Sequence, residues 1–187
     1  MIYSMNYKLI VAMDNLKGIG LNNKLPWPMI KEDMQMFRKL TIGNGKNAVI
    51  MGRNTYLGLP NILKERDNLV LSKKLNNPGI DNLYIFSDIA SLLEFCKNKY
   101  SEVWIIGGAE IYKQFLHLNL ISKIYLTKID NNYKCDCFFP EIKLSEFSLL
   151  TTREIKTNDD IKIEFNIYEK KNIRQNKDTG YLEIIED

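Results

Sequence analysis

Short runs of uninterrupted apolar residues, separated by stretches of helical periodicity, constrain this chain more than any other feature. Leu9-Ile10-Val11-Ala12-Met13, Ala48-Val49-Ile50-Met51, Leu69-Val70-Leu71 and Val103-Trp104-Ile105-Ile106 contain no charged position. A strand with one face in water alternates apolar and polar residues. A run without alternation reads as a strand covered on both faces, the habit of parallel sheets. Between these runs, residues 30–41 place Ile30, Met34, Phe37 and Leu40 on one helical stripe. A short helix is expected after Arg53, a second over 89–99 with Asp88 as its N-cap, and a third over 109–117. Further strands are expected at 83–86 and 123–127. Segments 147–155 and 161–168, around Asn158-Asp159-Asp160, read as a closing hairpin. The pattern predicts an α/β fold: a mostly parallel, twisted central sheet of about eight strands, an antiparallel C-terminal hairpin and four flanking helices.

The 187 residues make one domain over 1–170 and a polar extension over 171–187, of unknown role, outside the core. Residues 14–28, with Gly18, Gly20, Pro26 and Pro28, read as a long irregular connection, a kind that is often functional. A net charge of +3, from 26 basic and 23 acidic side chains, is too small to argue for nucleic acid. His117 is the sole histidine, so a metal site or a histidine-based triad is not expected. Cys96, Cys135 and Cys137 are odd in number and lack a C-x-x-C spacing, which suggests reduced thiols and a cytoplasmic setting. No signal peptide is read at the start, and no apolar stretch reaches the ~18 residues needed to span a bilayer.

Four places carry candidate chemistry. Asp33 shares a helix face with Phe37 and follows Leu25-Pro26-Trp27-Pro28. Enclosed there, its carboxyl would resist ionisation and could hold a proton; by spacing alone, a solvated Glu32–Asp33 pair on an amphipathic helix is favoured. Gly107-Gly108 sits between a strand and a helix, and reads equally as a phosphate cradle or a tight turn. Gly52-Arg53-Asn54-Thr55 is a second such turn. Ser72-Lys73 is a third, which taken singly is favoured as a plain polar turn. Anion-binding groups at the carboxyl ends of several parallel strands are where α/β sheets take ligands. Gly43-Asn44-Gly45-Lys46-Asn47-Ala48 fits a dinucleotide pattern but precedes a strand, and Gly18-Ile19-Gly20 lacks the third glycine.

Taken together, these residues resemble the dihydrofolate reductase family over roughly 7–170. The resemblance rests on Gly18-Ile19-Gly20, Leu25-Pro26-Trp27, Asp33 with Phe37 and Thr41, Val49-Ile50-Met51-Gly52-Arg53-x-Thr55 and Asn68-Leu69-Val70-Leu71-Ser72. It continues through Ile106-Gly107-Gly108-x-x-Ile111-Tyr112, Tyr125-Leu126-Thr127-x-Ile129-Asp130 and Phe139-Pro140. It implies NADPH-dependent reduction of 7,8-dihydrofolate to tetrahydrofolate, for one-carbon metabolism and thymidylate synthesis, by a monomer sensitive to antifolates.

By the same resemblance, Asp33 holds the pterin and assists protonation of N5, Thr127 bonds this carboxyl, and Trp27 holds a water beside it. Ile10, Val11, Met34, Phe37, Leu59, Leu63, Ile106 and Tyr112 line the substrate, and Arg66 grips its α-carboxylate. Ala12, Ile19, Gly20, Gly52, Arg53, Asn54, Thr55, Leu71, Ser72 and Lys73 fall on the cofactor side. So do Gly107, Gly108, Ala109, Glu110 and Ile111, with Ile106 and Tyr112 shared, and the Gly107–Gly108 peptide is expected cis. Residues 14–28 match a loop that closes over the nicotinamide. Three departures stand out: Asn54 where the family often has histidine or lysine, Ala109 where glycine or serine is common, and Cys137 where threonine is frequent. Tyr181-Leu182-Glu183-Ile184-Ile185 faintly resembles the opening helix of thymidylate synthase, as in bifunctional fusions; a private extension is the other reading. A related pterin or pyrimidine reductase lacks the acid plus Leu-Pro-Trp, and a non-catalytic nucleotide-binding module would bind without turnover.

Overall fold

The computed structural model describes residues 7–142, 144–171, 173–175 and 182–184. Eight strands form one sheet in the order β5-β4-β3-β6-β1-β7-β10-β9. They are β1 (Tyr7–Met13), β3 (Ala48–Gly52), β4 (Asp67–Leu71), β5 (Leu83–Phe86), β6 (Val103–Gly107), β7 (Ile121–Ile129), β9 (Phe147–Lys156) and β10 (Lys162–Lys170). The six strands from β5 to β7 are mutually parallel, and β10 runs against both β7 and β9. Four helices flank the sheet: α1 (Lys31–Ile42), α2 (Arg53–Gly58), α3 (Ile89–Cys96) and α4 (Ala109–His117).

The apolar runs are buried on both faces as their composition requires: Ala48, Val49, Ile50 and Met51 are all fully enclosed. Alternate side chains go to opposite layers. Leu9, Val11, Ile50 and Ile105 pack with Leu92 of α3 and with Ile111, Tyr112 and Phe115 of α4. Ile10, Val49, Met51 and Trp104 pack on the other face with Phe37 and Leu40 of α1, and with Tyr56 and Leu59 of the α2 region. Truncating one of these buried aliphatic chains to alanine costs about 2–5 kcal/mol.

Several boundaries differ from the sequence reading. Helix α3 stops at Cys96, short of residue 99, because the positive φ of Asn98 (54°) cannot continue a helix. Strand β7 runs wider than 123–127, since its ladder with β1 continues to Lys128 and its ladder with β10 to Ile129. Residues 14–28 are not wholly irregular. Strand β2 (Gly18–Gly20) pairs antiparallel with β8 (Cys137–Phe138), and Leu21 bridges Lys24. Neither two- or three-residue strand has a readable period. At the other end, β11 (Ile173–Gln175) pairs with β12 (Leu182–Ile184), so the three described residues of the stretch that faintly resembles a synthase's opening helix are strand. Tyr181 and Ile185 lie outside the described residues.

Candidate active site

The carboxyl ends of β4, β3, β6, β1 and β7 lie side by side, so the turns that follow them share one edge of the sheet. Helix α1 crosses one face of this edge and carries Asp33 in its first turn. Thr127 of β7, buried and in register with Ala12 of β1, donates its hydroxyl to Asp33 Oδ1 at 2.6 Å. Burial pushes the Asp33 carboxyl above the ordinary aspartate range, and the Thr127 bond pulls partly back. The acid is therefore half-buried and oriented by a hydrogen bond, not freely solvated as its helical spacing alone favoured.

A cavity of about 300 Å³ opens over this carboxyl, lined by Lys24, Leu25, Trp27, Met29, Ile30, Asp33, Met34 and Gly58. Trp27 is 6% exposed, packs with Ile30, Ile129 and Ile163, and meets Tyr133 edge-on at 5.7 Å. Met34 belongs to the apolar stripe of α1 yet is 41% exposed, because it faces the crevice and not the core. Phe37, Leu59, Leu63 and Ile106 converge with Ile10 on the same face of the sheet. Val11 does not join them: its side chain belongs to the opposite layer with Tyr112, so toward the crevice it offers only backbone.

Arg66 closes one end. It is 7% exposed, donates from Nε to the Lys64 carbonyl at 3.0 Å and from Nη1 to the Thr41 hydroxyl, and its guanidinium lies 5.8 Å from the Phe37 ring centre. Thr41 in turn donates to the Phe37 carbonyl at 2.7 Å. Thr41 was noted in the sequence only as part of the resemblance; its place one turn after Phe37 is the signal that it could buttress Arg66.

The neighbouring strand tips are glycine turns. The Gly107–Gly108 peptide is cis, and Gly107 has φ 117°, a region that favours glycine. A Cβ there would sit 3.1 Å from the Tyr112 hydroxyl, which itself donates to the Ile10 carbonyl at 2.8 Å. A Cβ on Gly52 would meet Ile111 at 3.0 Å, and one on Gly108 would lie 3.5 Å from the Thr55 hydroxyl. Gly108 caps α4 without any side-chain acceptor, so the amides of the first turn, from Ala109 to Ile111, face the strand tips with no side-chain cap. Glu110 accepts from Gln114 at 3.1 Å on the outer surface.

Arg53 and Asn54 follow Gly52, which pairs with Leu71, so these residues and Ser72-Lys73 stand on adjacent strand tips. Arg53, Asn54 and Lys73 are exposed, and Arg53 Nη1 reaches Asn54 Oδ1 at 3.4 Å. Ser72 is buried and its hydroxyl accepts from the Lys74 amide at 3.1 Å. Leu71 packs beneath, in the layer of Val11.

Asp14, which the sequence offers only as the first residue of the irregular connection over 14–28, anchors the loop. It is 1% exposed and accepts from the amides of Leu16, Gly18 and Tyr133 at 2.7–2.9 Å. Gly18 packs so tightly on Cys135 that a Cβ would come within 2.3 Å of the sulfur. Gly20 accepts from the Asp136 amide at 3.0 Å, Asp136 accepts from the Asn22 amide at 2.9 Å, and Ile19 packs against the core. Its bonds to Leu16 and Gly18 are those of any local turn, and the partner that ties the loop to the rest of the fold, Tyr133, lies 119 positions away, so the sequence gives little signal of the anchor.

Comparison with known proteins agrees with this geometry. The family model described as dihydrofolate reductase matches residues 6–170. A viral dihydrofolate reductase of Saimiriine herpesvirus 2 (strain 488) is 37% identical over 180 residues, covering 86% of this chain and 83% of the viral protein. The dihydrofolate reductase of Bos taurus is 33% identical over 180 residues, 87% of this chain and 96% of its own. The bifunctional dihydrofolate reductase-thymidylate synthase of Paramecium tetraurelia is 30% identical over 187 residues, which is 96% of this chain and 39% of that protein. This chain belongs to the dihydrofolate reductase family and is an oxidoreductase of that family.

Proposed function

We propose that the chain reduces 7,8-dihydrofolate to tetrahydrofolate with NADPH, and that residues 1–170 carry this activity in the cytoplasm as a monomer. The observation that carries the reading is the Asp33–Thr127 pair opening on a crevice bounded by the Gly107–Gly108 turn. The strand tips suit a dinucleotide. A Cβ at Gly107 would press on Tyr112, α4 has no side-chain cap, and Arg53 and Lys73 are exposed cations on adjacent tips. Gly107 to Ile111 would hold the pyrophosphate, Arg53, Asn54, Thr55, Ser72 and Lys73 the ribose-phosphate end, and Ala12, Ile19, Gly20, Ile106 and Tyr112 would border the nicotinamide. NADPH supplies the hydride when bound.

The remaining work belongs to side chains. Asp33, held by Thr127, accepts hydrogen bonds from the pterin amino group and ring nitrogen and favours protonation of N5. Trp27 excludes bulk water beside the acid. Phe37, Leu59, Leu63 and Met34 clasp the aromatic body of the substrate, and Arg66, already fixed on two sides, presents its outer edge to a carboxylate. The loop over 14–24, tied down by Asp14 and Asp136, covers the crevice. The product would feed one-carbon metabolism and thymidylate synthesis, and antifolates would compete for the same crevice. The test is the loss of NADPH absorbance on adding dihydrofolate to the purified chain: turnover that falls steeply with Asp33→Asn is expected, and binding of both molecules without turnover would contradict the reading.

A further inference from the structure

Asp33 borders two cavities, and the crevice is only one of them. Behind the acid, on the other side of α1, lies a smaller chamber of about 80 Å³. Its walls are Met36 and Leu40 of α1, Tyr125 of β7, and Phe165 and Ile167 of β10, with Asp33 and Thr127 at one end. Met36 and Leu40 follow Asp33 by three and seven positions, so the acid stands between their stripe and the crevice stripe of Met34 and Phe37. Across the ladder, Phe165 pairs with Thr127 and Ile167 with Tyr125, on the face that carries the Thr127–Asp33 bond. Asn166 alternates to the opposite layer, where its amide donates to Glu164 at 2.6 Å and accepts from Thr152.

A ligand in the crevice would cover the front of Asp33 and leave the chamber as its other boundary. Thioether, aliphatic and aromatic walls give a water few partners, and an apolar cavity of this kind stays dry. The acid is sensitive to such a boundary: burial is the first influence on its proton affinity, and the Thr127 bond is the second. The charged and titratable groups around it are few. Lys24 lines the crevice, Glu32 is its neighbour on α1, Tyr125 lines the chamber, and Tyr112 of α4 senses its charge from across the sheet. Farther down the same face, Lys8 of β1 is held by Glu102, and Lys123 of β7 by Glu169 of β10 at 2.9 Å. We propose that Met36, with Phe165 and Ile167 opposite, forms a dry rear wall that lets Asp33 keep its proton while the crevice is occupied. Met36 lines the chamber and not the crevice, so it is a positioning residue that acts through Asp33. The consequence for turnover rests on the dihydrofolate reading; the consequence for the carboxyl does not.

The test compares Met36→Gln and Met36→Leu with the unmodified chain. Glutamine nearly matches methionine in length and suits a helix, but it brings an amide that can donate to the ionised acid three positions earlier. Ile167→Thr, which puts a hydroxyl on the opposite wall, is the second polar variant, and thermal melts check that all three fold. The carboxyl is titrated directly by NMR in chains labelled with ¹³C-aspartate, its signal assigned by loss in Asp33→Asn. Met36→Gln is expected to raise the acid dissociation constant of Asp33 by about three- to tenfold, and Ile167→Thr by less in the same direction. Met36→Leu keeps the wall apolar and should keep the parent titration. The midpoint of single-turnover NADPH oxidation should move lower with Met36→Gln, by the same factor, with its acid plateau unchanged. A merely structural Met36 would lower the rate equally at every pH and leave the titration in place. That result, or a leucine variant that shifts as far as the glutamine one, overturns the rear wall. A shifted carboxyl in a chain that never oxidises NADPH would instead refute the reductase reading and leave the wall standing.

Discussion

The two walls of the crevice are built by different means. On the acid side, side chains from distant elements fix one another: Thr127 on Asp33, Thr41 on Arg66, and Arg66 over Phe37. On the glycine side, the backbone does the shaping. Gly52 and Gly107 bring strand tips together where a Cβ would crowd Ile111 or Tyr112, and the charged groups, Arg53 and Lys73, lie exposed at the surface. A wall made of paired side chains can tune one proton and one carboxylate. A wall made of backbone can take a large anionic ligand through many weak contacts, none of them indispensable.

That contrast sets the order of expected effects. Asp33→Asn removes the acid that lines the crevice, and turnover should fall by about 10²–10⁴, the range of general acid–base contributions. NADPH affinity should stay within twofold, as titration of cofactor fluorescence would show; equal losses in both would erase the division between the walls. The same substitution reports on stability. The folded chain holds the Asp33 proton more tightly than the unfolded chain does, so that contribution is complete below the ordinary aspartate pKa and is lost as pH rises through the raised value. Asp33→Asn should therefore melt above the parent near neutrality, with the gap closing in acid.

Next in size, Arg66→Leu should raise KM for dihydrofolate by about 10–100-fold, since a charged hydrogen-bonding group is worth roughly 1.5–3 kcal/mol. Steady-state kinetics with a dihydropterin that lacks the benzoylglutamate tail should be unaffected; a matching loss there would make Arg66 a packing residue. Gly107→Ala tests the backbone wall. At φ 117°, with Tyr112 only 3.1 Å away, it should destabilise the fold by about 1–3 kcal/mol by chemical denaturation and weaken NADPH more than dihydrofolate. Smallest, Lys73→Ala should weaken NADPH only about two- to fivefold, and less at high salt, as befits an exposed charge.

The sheet was legible because burial on both faces leaves no room for polar residues: the runs at 48–51 and 103–106 could hardly be anything else. Asp88 was legible as a cap because its bond to the Ser91 amide is local. What stayed hidden depends on distant partners. Asp33 and Thr127 are 94 residues apart, so helical spacing alone favoured a solvated acid. Asp14 gains its role from Tyr133, and β8 exists only because β2 lies beside it. Met34 sat on the predicted apolar stripe, but the stripe could not show that a crevice, and not the core, lies over it. Val11 was placed in the crevice with Ile10, and strand alternation sends its side chain to the opposite layer.

The central claim is that one half-buried carboxyl, held by one threonine, governs the protonation that accompanies reduction. The direct measurement is the pH dependence of single-turnover NADPH oxidation with saturating dihydrofolate, in the parent and in Thr127→Val. The account expects the rate to fall as pH rises through an apparent pKa above the ordinary aspartate range, and expects that midpoint to move higher in Thr127→Val, because the bond that favours the ionised form is gone. A profile flat across that range, or a midpoint that moves lower when the threonine hydroxyl is removed, would contradict it.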